Sequence, residues 1–298
     1  MVKVVPRTYL IYSFSPDNKP VEKVYPGEIV IFETVDALGG QVRDESTPLT
    51  SIDWSRVNPA TGPIYIEGVE PGDTLVIDIL DIEVEDRAVI VTIPGAGVLG
   101  YRDIKPKVKI LPIVKGMLYF DNIKLLPKPM IGVIGVAPPS GSIPTGTSGP
   151  HGGNMDVVEI TRGSRVYLPV FVKGALLALG DLHVLQADGE ICVAAAEVSG
   201  KVVTKIDVVK GRKPLLPLVE TQTYIHVIGY GEDLDEATRR ATEVAVQGLM
   251  KEYLLSFEEA YMLASLVVDL RINQAVDPAK GVRASIPKNI ISIESLLT

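Results

Sequence analysis

Apolar and polar residues alternate along most of the first two thirds of the chain, and the alternation is cut into short runs. In VEKVYPGEIVIFETVDA (21–37) and GVEPGDTLVIDILDIEVED (68–86) a Pro-Gly pair precedes a β-branched run. Proline suits the first central position of a turn and glycine the one that needs positive φ. After Pro71-Gly72 the two-residue period puts Leu75, Ile77 and Ile79 on one face of a strand. Further strands are expected in VIVTI (89–93), KVKILPIV (107–114), MLYF (117–120), MIGVIGVA (130–137), RVYLPVFV (165–172) and KVVTKIDVVKG (201–211).

The period changes after about residue 230. Asp233 and Glu236 have the spacing of a capping box, and Ala237, Ala241, Val244, Ala245 and Leu249 then recur at helical intervals. Ser256 and Glu259 repeat the signal before AYMLASLV, and IPKNIISIESLLT (286–298) is expected to return to the body as a strand. The fold expected is mainly β: a jelly-roll-like β-sandwich body over residues 1–220, followed by an αβ C-terminal region over 221–298. No flexible linker divides the two, so one composite domain is the alternative.

Composition narrows the functional classes. The 27 glycines and 22 prolines agree with short strands and many turns, and 46% apolar with 22% charged residues is a globular balance. A net charge of −8, without a Lys/Arg run interleaved with aromatics, argues against a nucleic-acid or anionic-membrane surface. The longest apolar stretch, YLPVFVKGALLALG, is broken by Pro169, Lys173 and Gly174, so no transmembrane helix is expected. MVKVVPRTYLIYSF lacks the apolar core of a secretory signal, and a soluble cytoplasmic protein is the expectation. Cys192 is the only cysteine, which excludes an intrachain disulfide or a Cys-rich metal site; flanked by apolar residues in ICVAAAEV, it reads as a core thiol.

Chemistry concentrates around the histidines, of which there are three. In LGDLHVLQADGE (179–190) Asp181 and His183 are two apart, so a strand points both to one face. A carboxylate and an imidazole together suit Zn²⁺ or another divalent ion. Gln186, Asp188 and Glu190 follow, and Glu197 is the next carboxylate beyond an apolar run; Asp188-Gly189 has the form of a hairpin turn. GPHGGNMD (149–156) sets His151 among glycines, which admit close approach of backbone to a ligand but equally serve a tight turn. His226 alternates with Tyr224 and Ile228 and reads as packing. FETVDALGGQV (32–42) and NPATGPIYIEG (58–68) add acidic or polar tips at strand ends, Asp36 among them. Ser140, Ser142 and Ser148 have neither a lysine nor a nucleophile elbow nearby, and the apolar setting of Cys192 would raise its pKa, so a serine or cysteine nucleophile is disfavoured. Trp54 and Tyr101 read as packing residues rather than pocket walls.

Taken in order, FETVDA, NPATGPIYIEGVEPGDTL, GPHGGNMD and LGDLHVLQADGE resemble the acetamidase/formamidase family. DLDEATRRA, SFEEAYMLAS and GVRASIPK continue the resemblance, which runs from about residue 28 to about 288. One departure is Ala187, which stands before Asp188-Gly189-Glu190 where that family's pattern has glycine. The resemblance implies a β-rich jelly-roll-like body, a divalent metal site and hydrolysis of small linear amides, formamide or acetamide among them, to carboxylate and ammonia. It carries over Asp36, His151, Asp156, Asp181 and His183, with Glu190 and Glu197 at matching places. The expectation is that Asp36, His151, Asp181 and His183 surround the metal, Zn²⁺ first, with a second structural ion such as Ca²⁺ as an option. The metal would lower the pKa of its water from about 16 to about 7 and polarise the carbonyl. Glu190 or Asp156 would shuttle the proton, with Glu197 a further carboxylate, while Asn154 and the N–H groups of Gly152 and Gly153 would face the oxyanion. A homo-oligomer, as a dimer, is the general expectation for such an enzyme. The alternatives are a cupin-like metal-binding β-sandwich supporting oxygenase, isomerase or binding roles, and a non-catalytic oligomeric β-protein.

Overall fold

The computed structural model describes residues 2–298. Two large sheets carry most of the chain. The first has nine strands in the order Val2–Val5, Ile29–Thr34, Gly200–Val209, Thr74–Val84, Arg165–Pro169, Leu218–Glu220, Tyr224–Gly231, Lys280–Pro287, Asp269–Gln274. Only its first pair is parallel. The second sheet has eleven strands and places Leu177–His183 between Met130–Gly135 on one side and Glu197–Val198 and Ala60–Ile66 on the other. The mainly β sandwich expected from the alternation is what the chain forms.

The alternation also decides which layer each face meets. Leu75, Ile77 and Ile79 turn inward, as their spacing requires, and join Val30, Phe32 and Val202 against Ile131, Leu177, Leu179 and Leu182 of the opposite sheet. In the C-terminal half of the first sheet the outer face is covered as well. Val166 and Val219 point into the sandwich, whereas their neighbours Tyr167 and Leu218 meet a second core built with Ala241, Ala245, Leu249 and Ala284. Strands covered on both sides lose the apolar–polar alternation, which is why this part of the sequence is apolar almost throughout. Residue 220 lies inside this sheet, because Leu218–Glu220 pairs with Tyr224–Gly231 across it.

Two helices supply the outer layer, α1 (Leu234–Tyr253) and α2 (Phe257–Val267). The expected stripe Ala237, Ala241, Val244, Ala245 and Leu249 is the buried face of α1. Asp233 caps α1 by accepting from Glu236 N at 2.7 Å, but Glu236 Oε2 accepts from Glu232 N, so the box is offset by one residue. Ser256 and Glu259 close a complete capping box on α2. The terminal segment departs from expectation. Ile293–Leu296 is a 3₁₀ turn and not a strand, because Ser292 and Ser295 both donate to Glu252 Oε2 at 2.6 Å while Ile291 and Leu296 bury against α1. Among the described residues no helix is long and apolar enough to cross a membrane.

His226 sits in this sheet as a packing residue, with Nδ1 against Ser285 Oγ at 2.8 Å and its ring stacked on Tyr224. Burial, with Arg283 and Arg271 nearby, pushes its pKa down to about 3. An unfolded histidine titrates near 6.5, so the stability given by the neutral buried ring is complete above that pH and is lost as pH falls towards 3. His226→Gln removes this acid-dependent part. In urea unfolding, the advantage of the wild type over the variant at pH 8 is expected to shrink by about 2–3 kcal/mol at pH 4.5. An unchanged difference would contradict a neutral buried ring.

Candidate active site

The strand Leu177–His183 is buried along its whole length and ends in Asp181-Leu182-His183. Asp181 has φ +54°, a left-handed conformation that interrupts regular pairing in mid-strand. The residue across from it is Gly132, in register with Ile131↔Leu182 and Val133↔Gly180. A Cβ on Gly132 would stand 2.7 Å from Asp181 Oδ2 and 2.7 Å from Asp156 Oδ1. Glycine here is what lets two carboxylates converge over one backbone position. On the other side His183 lies directly opposite Glu197. His183 Nε2 is 3.1 Å from Glu197 Oε2 and 3.3 Å from Asp181 Oδ1, and all three side chains are buried.

The hydrogen bonds around this group determine the state of the imidazole. Gln186 Nε2 donates to the carbonyls of Asp156 (3.0 Å) and Asn273 (3.4 Å), so Gln186 Oε1 is left to accept from His183 Nδ1 at 2.7 Å. With Nδ1 carrying its proton, Nε2 faces two carboxylates with a lone pair unless a cation intervenes. Glu197 Oε1 is already bound to Ala195 N at 2.7 Å, which aims Oε2 at the ring. Burial opposes a charge on His183, yet Glu197 and Asp181 hold its pKa well above the usual range. Either a proton or a metal ion answers that field.

A second group overlaps the first: Asp156, His183 and Glu190 also offer donor atoms within 4.8 Å of one another. Both oxygens of Asp156 are buried without a hydrogen-bond partner. Burial, with Asp277 nearby, raises the Asp156 pKa strongly, and burial, with Asp156 beside it, raises that of Glu190. Burial also pushes Glu197 up to about 7, against the pull of His183, and Asp277 up to about 6, with Asp181 adding to it. Asp156, Asp181 and Glu190 all have positive φ, at 49°, 54° and 45°. Backbone strain of this kind collects where the site geometry demands it. Four buried carboxylates around one imidazole form a donor set for a cation, since buried charges otherwise go unpaired at high cost.

Asp181, Glu190, Glu197, Asp277 and Asn154 line a cavity of about 470 Å³. Asp36 and His151 belong to neither donor group among the described residues. Asp36 Oδ1 accepts from Leu38 N and Gly40 N and so builds its own turn, its pKa raised by burial against those two bonds. His151 is fully buried edge-on to Phe14, with no partner on either ring nitrogen, and burial lowers its pKa to about 4. Gly149 and Gly153 flank that ring so closely that a Cβ on either would lie about 3 Å from a ring nitrogen. Gly152 N is taken by Gly149 O, and Asn154 Nδ2 donates to Asp277 Oδ2 at 2.6 Å. Asp188 accepts from the fully buried Arg283, which also binds Asn273 and Glu159 and ties the 186–190 loop to the strand Lys280–Pro287. Trp54 borders the cavity, 45% exposed, whereas Tyr101 stands apart from it, 77% exposed.

Against known proteins, the sequence profile described as the Acetamidase/Formamidase family matches residues 7–142 and 140–293. The chain belongs to this family. A predicted acetamidase/formamidase of Thermoanaerobacter tengcongensis is 43% identical, superimposes with a TM-score of 0.95, and is matched over 99% of this chain and 98% of its own. An acetamidase of Bacillus halodurans is likewise 43% identical with a TM-score of 0.95, over 98% and 99% of the two chains. A formamidase of Methylophilus methylotrophus is 28% identical, the match spanning 76% of this chain and 72% of that protein. An acetamidase/formamidase is a hydrolase acting on amides, and the enzyme expectation holds.

For this acetamidase/formamidase the approach of Asp156 and Asp181 over Gly132 generates a sharp expectation. Gly132→Ala should keep the far-UV circular dichroism of the wild type while amide hydrolysis falls about 100-fold, the scale of a roughly 1 Å misplacement. Wild-type turnover in that variant would mean that the two carboxylates need not converge.

Proposed function

We propose that the chain hydrolyses small linear amides, the class of formamide and acetamide, to carboxylate and ammonia, using a divalent ion held by Asp181, His183 and Glu197. The observation that carries this is Nε2 of His183 facing two buried carboxylate oxygens at 3.1 and 3.3 Å, with Nδ1 already engaged by Gln186. Those separations are close to the edge of a tetrahedron around Zn²⁺, roughly 3.3–3.6 Å for bonds of about 2.0–2.2 Å. The mixed nitrogen and oxygen donors suit Zn²⁺, and the unpartnered oxygens of Asp156 fit a site that needs positive charge. When bound, such an ion would make water a nucleophile near neutral pH and polarise the amide carbonyl.

The chain's own groups supply the remaining steps. Glu190 lines the cavity and Asp156 does not, which favours Glu190 as the carboxyl that exchanges a proton with the amide nitrogen. Burial, with Asp156 beside it, raises the Glu190 pKa and so favours its protonated form. Asn154 holds Asp277 beside the pair. Gln186 fixes the tautomer and angle of His183. A second ion such as Ca²⁺ would find oxygen donors in Asp156 and Glu190.

Chelation is expected to abolish ammonia release from acetamide and Zn²⁺ to restore it, while His183→Ala stays folded and inactive. Gln186→Leu should weaken metal affinity about 10–100-fold by competition titration. Amide hydrolysis untouched by chelation would end the metal reading.

A dimer is part of the same proposal. α2 leaves Phe257, Tyr261, Met262 and Leu266 exposed beside Leu270 and Ile272 of the sheet's edge strand, an apolar surface suited to a second copy. Sedimentation should give a dimer for the wild type and a monomer for Leu266→Lys.

A further inference from the structure

The cavity is out of scale with the smallest amides. Its volume of about 470 Å³ lies in the range of roughly 300–1,000 Å³ that encloses drug-sized ligands, whereas acetamide carries one methyl beside its amide group. Its lining is mixed. The carboxylates and Asn154 share the lining with neutral polar residues, Ser55, Asn58, Thr145 and Thr147 among them, and with an apolar group formed by Leu38, Trp54, Val57, Val91, Ile93 and Ala194. Leu38, Val91 and Ala194 belong to a small hydrophobic cluster of their own, backed by Val42, Ile52, Val89 and Val108, so this wall is rigidly supported. Among the described residues no Lys, Arg or His lines the cavity.

We infer that the acyl group favoured at this site is neutral, apolar and several carbons long, its chain lying against the Leu38–Val91–Ala194 wall and under Trp54. The inference rests on the reading of this cavity as the amide-hydrolysing site. An acyl chain ending in a carboxylate would face the carboxylates that line the cavity and find no lining cation to receive it. Each methylene taken from water onto such a wall contributes roughly fourfold to kcat/KM when its binding persists in the transition state.

The test measures kcat/KM by ammonia release for formamide, acetamide, butanamide, hexanamide and adipamic acid, the last being hexanamide with a terminal carboxylate. Hexanamide is expected to exceed acetamide by about 30-fold or more, and adipamic acid to fall at least about tenfold below hexanamide. Trp54 is 45% exposed, so Trp54→Ala leaves the core intact. It should lower the hexanamide-to-acetamide ratio about fivefold or more by removing apolar contact. Formamide or acetamide turned over faster than hexanamide, adipamic acid equal to hexanamide, or an unchanged ratio in Trp54→Ala each overturns the inference while leaving the hydrolase reading standing. No ammonia from any of the amides overturns the hydrolase reading, and the inference falls with it.

Discussion

Like-charge crowding around His183 is the constraint on which the rest of this molecule turns. Asp156, Asp181, Glu190 and Glu197 are drawn towards one imidazole, all of them buried, with Asp277 at the cavity side. Left to themselves these groups would repel and would seek solvent. What holds them together is the surrounding sandwich. Asp181 and His183 come from a strand walled in by neighbours on both sides, Glu197 from the strand opposite, and Asp156 from the turn following Gly152–Asn154. The main core fills the space between the sheets and leaves these side chains little room to retreat.

Much of the architecture was legible because it follows from periodicity. Leu75, Ile77 and Ile79 had to share a face, and α1 had to bury the stripe from Ala237 to Leu249. Asp181 and His183 were legible for the same reason, together with Glu190 and Glu197 as the next carboxylates along the chain. The C-terminal turn was not, because alternation in IISIESLL fits a strand equally well until Glu252 and the face of α1 are known. Asp277 and Arg283 make their contributions through partners far away in sequence. Asp277 sits in a loop whose Asp-Pro pair signals only a turn. Gly132 was equally silent, since one glycine in an apolar strand says nothing of the two carboxylates above it.

The histidine between glycines shows how local chemistry and three-dimensional placement part company. Glycine beside a histidine is compatible with an open ligand site and with a tight turn. Here Gly149 and Gly153 make room for the ring itself, which packs on Phe14. Asp36 behaves similarly: its acidic side chain at a strand end organises the turn into Leu38 and Gly40, and Leu38 in turn forms part of the cavity wall. Asp36 is thus linked to the cavity through the turn it builds.

The link from Arg283 to Asp188 also has a consequence in time. Asp277 and Arg283 follow the strand ending in His183 by a long stretch of chain, so that strand is made much earlier. A nascent chain emerging from the ribosome therefore carries Asp156, Asp181 and His183 long before the residues that secure the loop bearing Glu190. The same holds for a chain clipped ahead of residue 277: most of its donor atoms are present, but the clasp that closes around them is missing. Completion of the site therefore waits on the strand Lys280–Pro287 and the loop before it.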